Sequence, residues 1–141
     1  MIDYGIRIEA PAAVVFEMLT DAELLTEWMA VEAASDPSPD GGFRWVYENG
    51  DVVAGHYVTL EPPHRLVLAY GWELPAERGI PPGSTEVEIT LDETDGATVL
   101  RLRHHHLPAA ELEAHRDGWD FFLRRLAARL AERHTSGDDD G

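Results

Sequence analysis

The feature that most constrains the fold is one long amphipathic helix, which follows a series of short segments with strand character. From about Ala109 to Arg133, apolar side chains recur at helical spacing. They form a single stripe made of Leu112, Trp119, Phe122, Leu123, Leu126 and Leu130. At about 1.5 Å per residue, such a helix spans roughly 35 Å, the width of a small domain. It has to bury its stripe against another layer of the same fold.

Strand-like alternation of apolar and polar residues precedes this helix. The segments are residues 2–9, 43–47, 52–60, 65–72, 86–91 and 99–105. Turn signals such as Asn49-Gly50 and Asp95-Gly96 join consecutive segments, which indicates an antiparallel sheet. Two short helices, Pro11 to Leu19 and Ala22 to Trp28, follow the first strand.

These elements predict an α+β fold in which a curved antiparallel sheet of about six strands wraps around the long C-terminal helix. Since one helix cannot fill a curved sheet completely, we expect a cavity between the two layers. The chain of 141 residues is long enough for one domain, which we place at residues 1–134. The acidic stretch 135–141 is expected to be a disordered tail.

Charge and cysteine content exclude several classes of function. The net charge is −16 and all 11 cationic side chains are arginines, so phosphate backbones and anionic membranes are poor partners. The absence of cysteine excludes disulfides, a thiol nucleophile and cysteine-based metal centres. The N-terminus resembles no signal peptide and no apolar run is long enough to span a membrane, so we expect a cytoplasmic protein.

Aromatic residues are the best candidates for a cavity lining, because ligand pockets are mainly apolar and aromatic with a few polar groups. The candidates are Trp28, Trp45, Tyr57, Tyr70, Trp72, Trp119 and Phe122. The alternative for each of them is an ordinary place in the packed core.

The sharpest local motif is His104-His105-His106 at the end of the last strand. Because side chains alternate along a strand, we expect His104 and His106 to face the cavity together. Two imidazoles on one face suit a metal, proton transfer or ligand hydrogen bonding, whereas a polar strand end is the simpler interpretation. A metal would need a third ligand, from His115, Glu113, Asp117 or His56, and we predict no metal site.

The first turns of the long helix hold two further candidates. His115 lies four residues before Trp119 on the same helix face and so near the expected cavity mouth, although a solvated or capped histidine is the alternative. Gly118 costs about 1 kcal/mol relative to alanine within a helix. Close packing of the helix on the sheet would compensate for this cost, and room for a ligand is the second explanation.

Recognisable catalytic motifs are missing from the sequence. No serine lies in a Gly-x-Ser-x-Gly setting, and there is no phosphate-binding or dinucleotide-binding glycine motif. The absence of lysine excludes Schiff-base chemistry. The sequence therefore predicts no cofactor.

An ordered set of motifs along residues 2–130 resembles a known superfamily. The set includes Ala10-Pro11, Leu19-Thr20-Asp21, Gly41-Gly42-Phe43-Arg44, Pro62-Pro63-His64-Arg65-Leu66 and His115-Arg116-Asp117-Gly118-Trp119. In this set the chain resembles the START-like, helix-grip (SRPBCC) superfamily, in the branch named for activators of the heat-shock protein 90 ATPase. The resemblance implies a grip fold with a hydrophobic tunnel between helix and sheet. It does not by itself transfer an activity, because a shared fold serves many functions.

The leading hypothesis is a non-catalytic domain that binds a small, largely hydrophobic molecule. Its predicted ligand-binding residues are Trp28, Trp45, Tyr57, Tyr70, Trp72, His104, His106, His115, Trp119 and Phe122. One alternative is an enzyme resembling the polyketide aromatase/cyclases, with a cavity histidine that moves protons. The other is an interaction module that regulates a chaperone. Homodimerisation is compatible with all three.

Overall fold

The computed structural model describes residues 1–132 with their side chains and the backbone of residues 133–140. The strands are β1 (Ile2–Ile8), β2 (Glu32–Ser35), β3 (Gly42–Val46), β4 (Val52–Glu61), β5 (Arg65–Leu74), β6 (Thr85–Thr94) and β7 (Ala97–His105). The helices are α1 (Ala12–Thr20), α2 (Ala22–Trp28) and α3 (Leu112–Asp140). The tail predicted at residues 135–141, and with it the domain boundary at residue 134, lies outside the fully described part of the chain.

All strands form one antiparallel sheet in the order β1-β7-β6-β5-β4-β3-β2. Consecutive strands from β2 to β7 are neighbours, as expected for hairpin connections. β1 instead pairs with β7, where Ile2 lies opposite His104. The sheet and the long helix after β7 confirm the predicted α+β helix-grip class.

The seventh strand, β2, was not predicted. The sequence from residue 34 to residue 42 suggests a loop, yet Glu32–Ser35 pairs with Phe43–Val46 of β3. β2 is a short edge strand built on Ala33 and Ala34, so it shows no alternation of large apolar residues. Its hydrogen bonds come from backbone pairing, which the side-chain pattern does not record.

The helix α3 packs its apolar stripe over the concave side of the sheet. The stripe includes four side chains that are at least nine-tenths buried, those of Trp119, Leu123, Leu126 and Leu130. Burial of one such leucine contributes roughly 1.5–3 kcal/mol, so this stripe fixes α3 on the sheet. Among the residues that the structure describes, no helix is both long and apolar enough to cross a membrane.

The connection between β5 and β6 folds back over β5. Gly71 permits this close approach, since a Cβ there would overlap the backbone carbonyl of Pro81. The Trp72 amide donates a hydrogen bond to the Ile80 carbonyl at 2.5 Å, and the Ile80 side chain is buried. Arg78, in this connection, pairs with Glu111, the residue immediately before α3.

Candidate functional site

A cavity of about 620 Å³ lies between α3, the end of α2 and the sheet. Its inner residues are buried, whereas its outer residues, such as Phe121 and Arg125 on α3, are exposed and form the mouth. The lining consists of Thr26, Trp28, Met29, Ala30, Val31, Tyr47, Glu48, Asn49, Asp51, Tyr70, Trp72, Arg78, Ala114, His115, Gly118, Trp119, Phe121, Phe122 and Arg125. The predicted space between helix and sheet is therefore present and opens to solvent.

Aromatic rings from both layers form its walls. Tyr47, just beyond β3, stacks on Phe122 of α3 with ring centroids 5.3 Å apart. Trp72 of β5 lies 5.8 Å from the Tyr47 ring and meets the Tyr70 ring edge-on at 6.5 Å. Trp119 lies 5.9 Å from Tyr70. Such contacts add packing energy to area burial, so the walls are held in place without a ligand.

His115 is held in one neutral form on the cavity wall. The Trp72 indole N–H donates to His115 Nε2 at 2.9 Å, so Nε2 carries no proton. His115 Nδ1 lies 2.9 Å from the Glu111 backbone oxygen and donates to it. Burial is the main cause that lowers the pKa of His115, which favours the neutral ring. Both ring nitrogens thus have protein partners.

His104 lies fully buried behind the cavity and is also neutral. Its Nδ1 accepts the Trp119 indole N–H at 3.1 Å. Thr85 donates its hydroxyl proton to the Tyr70 carbonyl, so its oxygen accepts from His104 Nε2 at 2.9 Å. Burial lowers the pKa of His104 to about 3, and the neighbouring His115 adds to the shift. The ring positions Trp119, one of the lining residues.

Two phenol groups in the lining are without hydrogen bonds to residues 1–132, namely those of Tyr47 and Tyr70. Tyr70 is 3% exposed. Burial is the main cause that raises the pKa of both hydroxyls well above the usual value, so both keep their protons. They are neutral groups able to donate a hydrogen bond to an oxygen or nitrogen atom of a ligand.

Arg78 joins the β5–β6 connection to Glu111, the residue immediately before α3, at one side of the cavity. Its guanidinium carbon lies 4.2 Å from the centroid of the Trp72 ring, and its Nε lies 3.3 Å from a carboxylate oxygen of Glu111. The backbone oxygen of Glu111 also accepts the hydrogen bond from His115 Nδ1. These contacts therefore fix the relative positions of four side chains, those of Arg78, Glu111, Trp72 and His115.

Six of the predicted site residues line the cavity, and four do not. Those in the lining are Trp28, Tyr70, Trp72, His115, Trp119 and Phe122. Tyr57 and Trp45 are buried in the core, where the Tyr57 hydroxyl lies 2.6 Å from the Ser35 hydroxyl. His104 lies behind the lining, and His106 is exposed on the surface.

The expectation that His104 and His106 share a cavity face is wrong. β7 ends at His105, and His106 has a φ of 72°, which ends the alternation of side chains along the strand. Only His104 of this motif points inward. Among the described residues, no group of three or more histidine and carboxylate side chains could hold a metal ion.

The favoured explanation of Gly118 is also wrong. A Cβ at this position would meet no atom of the described residues within 4 Å, so the sheet does not approach the helix closely there. Gly118 lines the cavity instead. The second explanation, room beside the helix, is the one that the structure supports.

The sequence interpretation missed several lining residues, and only some left a signal. Tyr47 continues the alternation of Phe43 and Trp45, so it could have been chosen with them. Arg78 lies in an irregular connection and Met29 at the end of a short helix, where no periodicity indicates a direction.

Solved structures with the same fold include DynU16, a protein in the dynemicin biosynthetic locus, at 23% identity and a TM-score of 0.78. The alignment covers 92% of this chain but 46% of DynU16, so this chain spans about half of that protein. CalU16 from Micromonospora echinospora is 26% identical over 95% of this chain and 78% of its own, with a TM-score of 0.75. PFC0360w, an HSP90 activator from Plasmodium falciparum, is 23% identical over 93% and 97%, with a TM-score of 0.75.

Comparison with curated protein sequences gives no significant match. The sequence profile of one family, described as activator of Hsp90 ATPase homolog 1-like protein, matches residues 9–131. This match covers most of the chain and agrees with the fold and with the resemblance in the sequence. The chain therefore belongs to the family of activator of Hsp90 ATPase homolog 1-like proteins.

Proposed function

We propose that this domain binds one small, largely apolar molecule in the cavity between α3 and the sheet and does not transform it. The observation that carries the proposal is the cavity itself: about 620 Å³, open at one end and walled by aromatic rings. This volume lies within the range of roughly 300–1,000 Å³ that is typical of small-molecule sites. A packed core would leave no space of this size.

The charges of the lining favour a neutral ligand. Arg78 and Arg125 are balanced by Glu48 and Asp51, so the formal charges of the lining sum to zero. The protein as a whole carries −16, which disfavours the approach of anions. A neutral, mainly aromatic or aliphatic molecule with one or two hydrogen-bond acceptors fits this lining and its two free phenol hydroxyls.

The arrangement of the histidines supports binding over a cyclase-like reaction. A general base needs a nitrogen that is free to take a proton from the substrate. Both nitrogens of His115 are occupied by Trp72 and Glu111, and both nitrogens of His104 by Trp119 and Thr85. Proton transfer at either ring would first require one of these hydrogen bonds to break.

The outer side of the sheet gives little support to the chaperone-regulating alternative. Arg65 pairs with Glu88 at 2.9 Å, and Arg101 pairs with Asp3 at 3.0 Å. These cross-strand ion pairs cover the surface with charge, whereas protein-binding patches are usually contiguous and apolar.

A fluorescence titration with N-phenyl-1-naphthylamine, a neutral dye that becomes bright in apolar surroundings, tests the proposal. We expect saturable binding of one dye molecule per chain. Gly118→Phe places a ring in the cavity and should weaken dye binding at least 10-fold, whereas Val58→Ala, at an exposed position outside the lining, should leave it unchanged. Equal binding by all three proteins would refute a site in this cavity.

A further inference from the structure

A second, much smaller void lies next to the inner end of the cavity. Its volume is about 10 Å³, and its lining is almost entirely apolar. The lining residues are Leu19, Leu25, Trp28, Met29, Trp45, Leu66, Leu68, Ile89 and Trp119. Both spaces are lined by the same three residues, Trp28, Met29 and Trp119, so one layer of side chains separates the void from the cavity.

Of the three side chains in this layer, that of Met29 changes conformation at the lowest cost in free energy. The Trp28 indole N–H donates to the Met18 carbonyl at 2.9 Å, and the Trp119 indole N–H donates to His104 at 3.1 Å. Both tryptophans would lose a hydrogen bond if they turned. The unbranched side chain of Met29 makes no hydrogen bond to residues 1–132 and has several rotatable bonds, so it can change rotamer without such a loss.

Trp45 gives the void its chemical character. Its indole Nε1 is buried and has no hydrogen-bond partner among residues 1–132. A buried donor without a partner costs free energy, and such groups in native proteins need an explanation. The other two indole N–H groups among the lining residues already donate, so the Trp45 N–H is the unpaired one of the three. A water molecule would need two to four polar partners and is not stabilised there.

We propose that this void is an inner subsite of the ligand cavity, opened by a rotamer change of Met29. It accepts an apolar arm of the ligand that carries a carbonyl or ether oxygen, and the Trp45 N–H donates a hydrogen bond to that oxygen. This inference rests on the proposed function and adds to it the class of ligand: a molecule with an oxygen atom on a slender aliphatic arm.

The test uses two probes that differ in one oxygen, 4-phenyl-2-butanone and butylbenzene. In a ¹H–¹⁵N spectrum the Trp45 indole resonance is assigned by its loss in Trp45→Phe, or by its contacts with Phe43 if that variant does not fold. We expect the ketone to shift this resonance and butylbenzene to bind without doing so. Trp45→Phe should reduce the preference for the ketone over butylbenzene by about 2- to 10-fold, the usual range for one hydrogen bond.

Met29→Ala is the second variant, because it removes the side chain that has to move. It should bind both probes more tightly than the unmodified protein does. If both probes bind but the Trp45 resonance does not move and the ketone preference survives in Trp45→Phe, the inner subsite is refuted while the proposed function stands. If neither probe binds although N-phenyl-1-naphthylamine does, the inner subsite is refuted and the proposed function stands, whereas failure of all three compounds to bind refutes both proposals.

Discussion

Gly118 offers a substitution that separates the stability of the fold from the use of the cavity. It lies within α3, and a Cβ built on it would meet no atom within 4 Å in the part of the chain that the structure describes. Replacement of a helix-interior glycine by alanine usually stabilises a helix by about 1 kcal/mol. Because no neighbour has to move, we expect Gly118→Ala to stabilise the protein by close to this amount. For a domain of this size, that corresponds to an increase in Tm of about 3–5 °C.

Larger side chains at the same position should block the cavity without damage to the core. A phenylalanine ring at residue 118 projects into space that the structure leaves open, beside Trp119 and Phe122. We expect Gly118→Phe to be at least as stable as the unmodified protein and to bind ligand at least 10-fold more weakly. Gly118→Ala is its matched control, because one methyl group occupies little of the roughly 620 Å³.

The assays are urea unfolding for stability and the dye titration for binding, on all three proteins. A loss of more than about 1 kcal/mol in Gly118→Ala would refute the argument, since it would mean that the sheet does pack against this position. Unchanged binding in a folded Gly118→Phe protein would place the ligand site elsewhere.

Three further predictions concern the polar groups around the cavity. Tyr70→Phe should change stability by less than about 0.5 kcal/mol, since its hydroxyl has no hydrogen-bond partner among residues 1–132, whereas Tyr57→Phe should cost about 1 kcal/mol because it breaks the hydrogen bond to Ser35. Urea unfolding of the two variants measures the difference, and equal losses would contradict it. Trp119→Phe should cost roughly 1–3 kcal/mol in the same assay, because it leaves the buried His104 nitrogen without a donor; a neutral effect would argue against that hydrogen bond. His104 has a pKa of about 3 in the folded state and 6.5 as its ordinary value, so it binds protons more readily in the unfolded chain. Stability should therefore fall as the pH drops from 6.5 towards 3, by up to about 1.4 kcal/mol per pH unit from this group alone. His104→Asn should flatten the decline between pH 6.5 and pH 5, and an unchanged slope would show that His104 does not cause it.

Much of the fold follows from side-chain periodicity in the sequence. The stripe from Trp119 to Leu130 predicts α3, and the alternation around Val87 and Leu100 predicts β6 and β7. Both patterns arise because one face of each element is buried. β2 escaped prediction because an edge strand of small residues has no such face, and its pairing is a matter of backbone hydrogen bonds.

The candidate site was less predictable, because lining a cavity and filling a core use the same aromatic residues. Trp45 and Trp72 look alike in the sequence, yet one is 2% exposed in the core and the other lies on the cavity wall. The difference depends on where α3 leaves the sheet, which no local pattern records. His106 shows a second reason why the site was hard to predict. Its own backbone has a positive φ directly after β7, so its side chain does not continue the alternation of the strand.

Native mass spectrometry tests the central claim, that the cavity holds a small apolar molecule, most directly. The unmodified protein and Gly118→Phe are each incubated with a small-molecule extract of the cells that produce the protein, freed of excess by gel filtration, and then measured in native and denaturing solution. If the cavity holds such a molecule, the unmodified protein carries one adduct of small-molecule mass, which is lost on denaturation and missing from Gly118→Phe. A bare polypeptide mass for both proteins, or the same adduct on both, would contradict this claim.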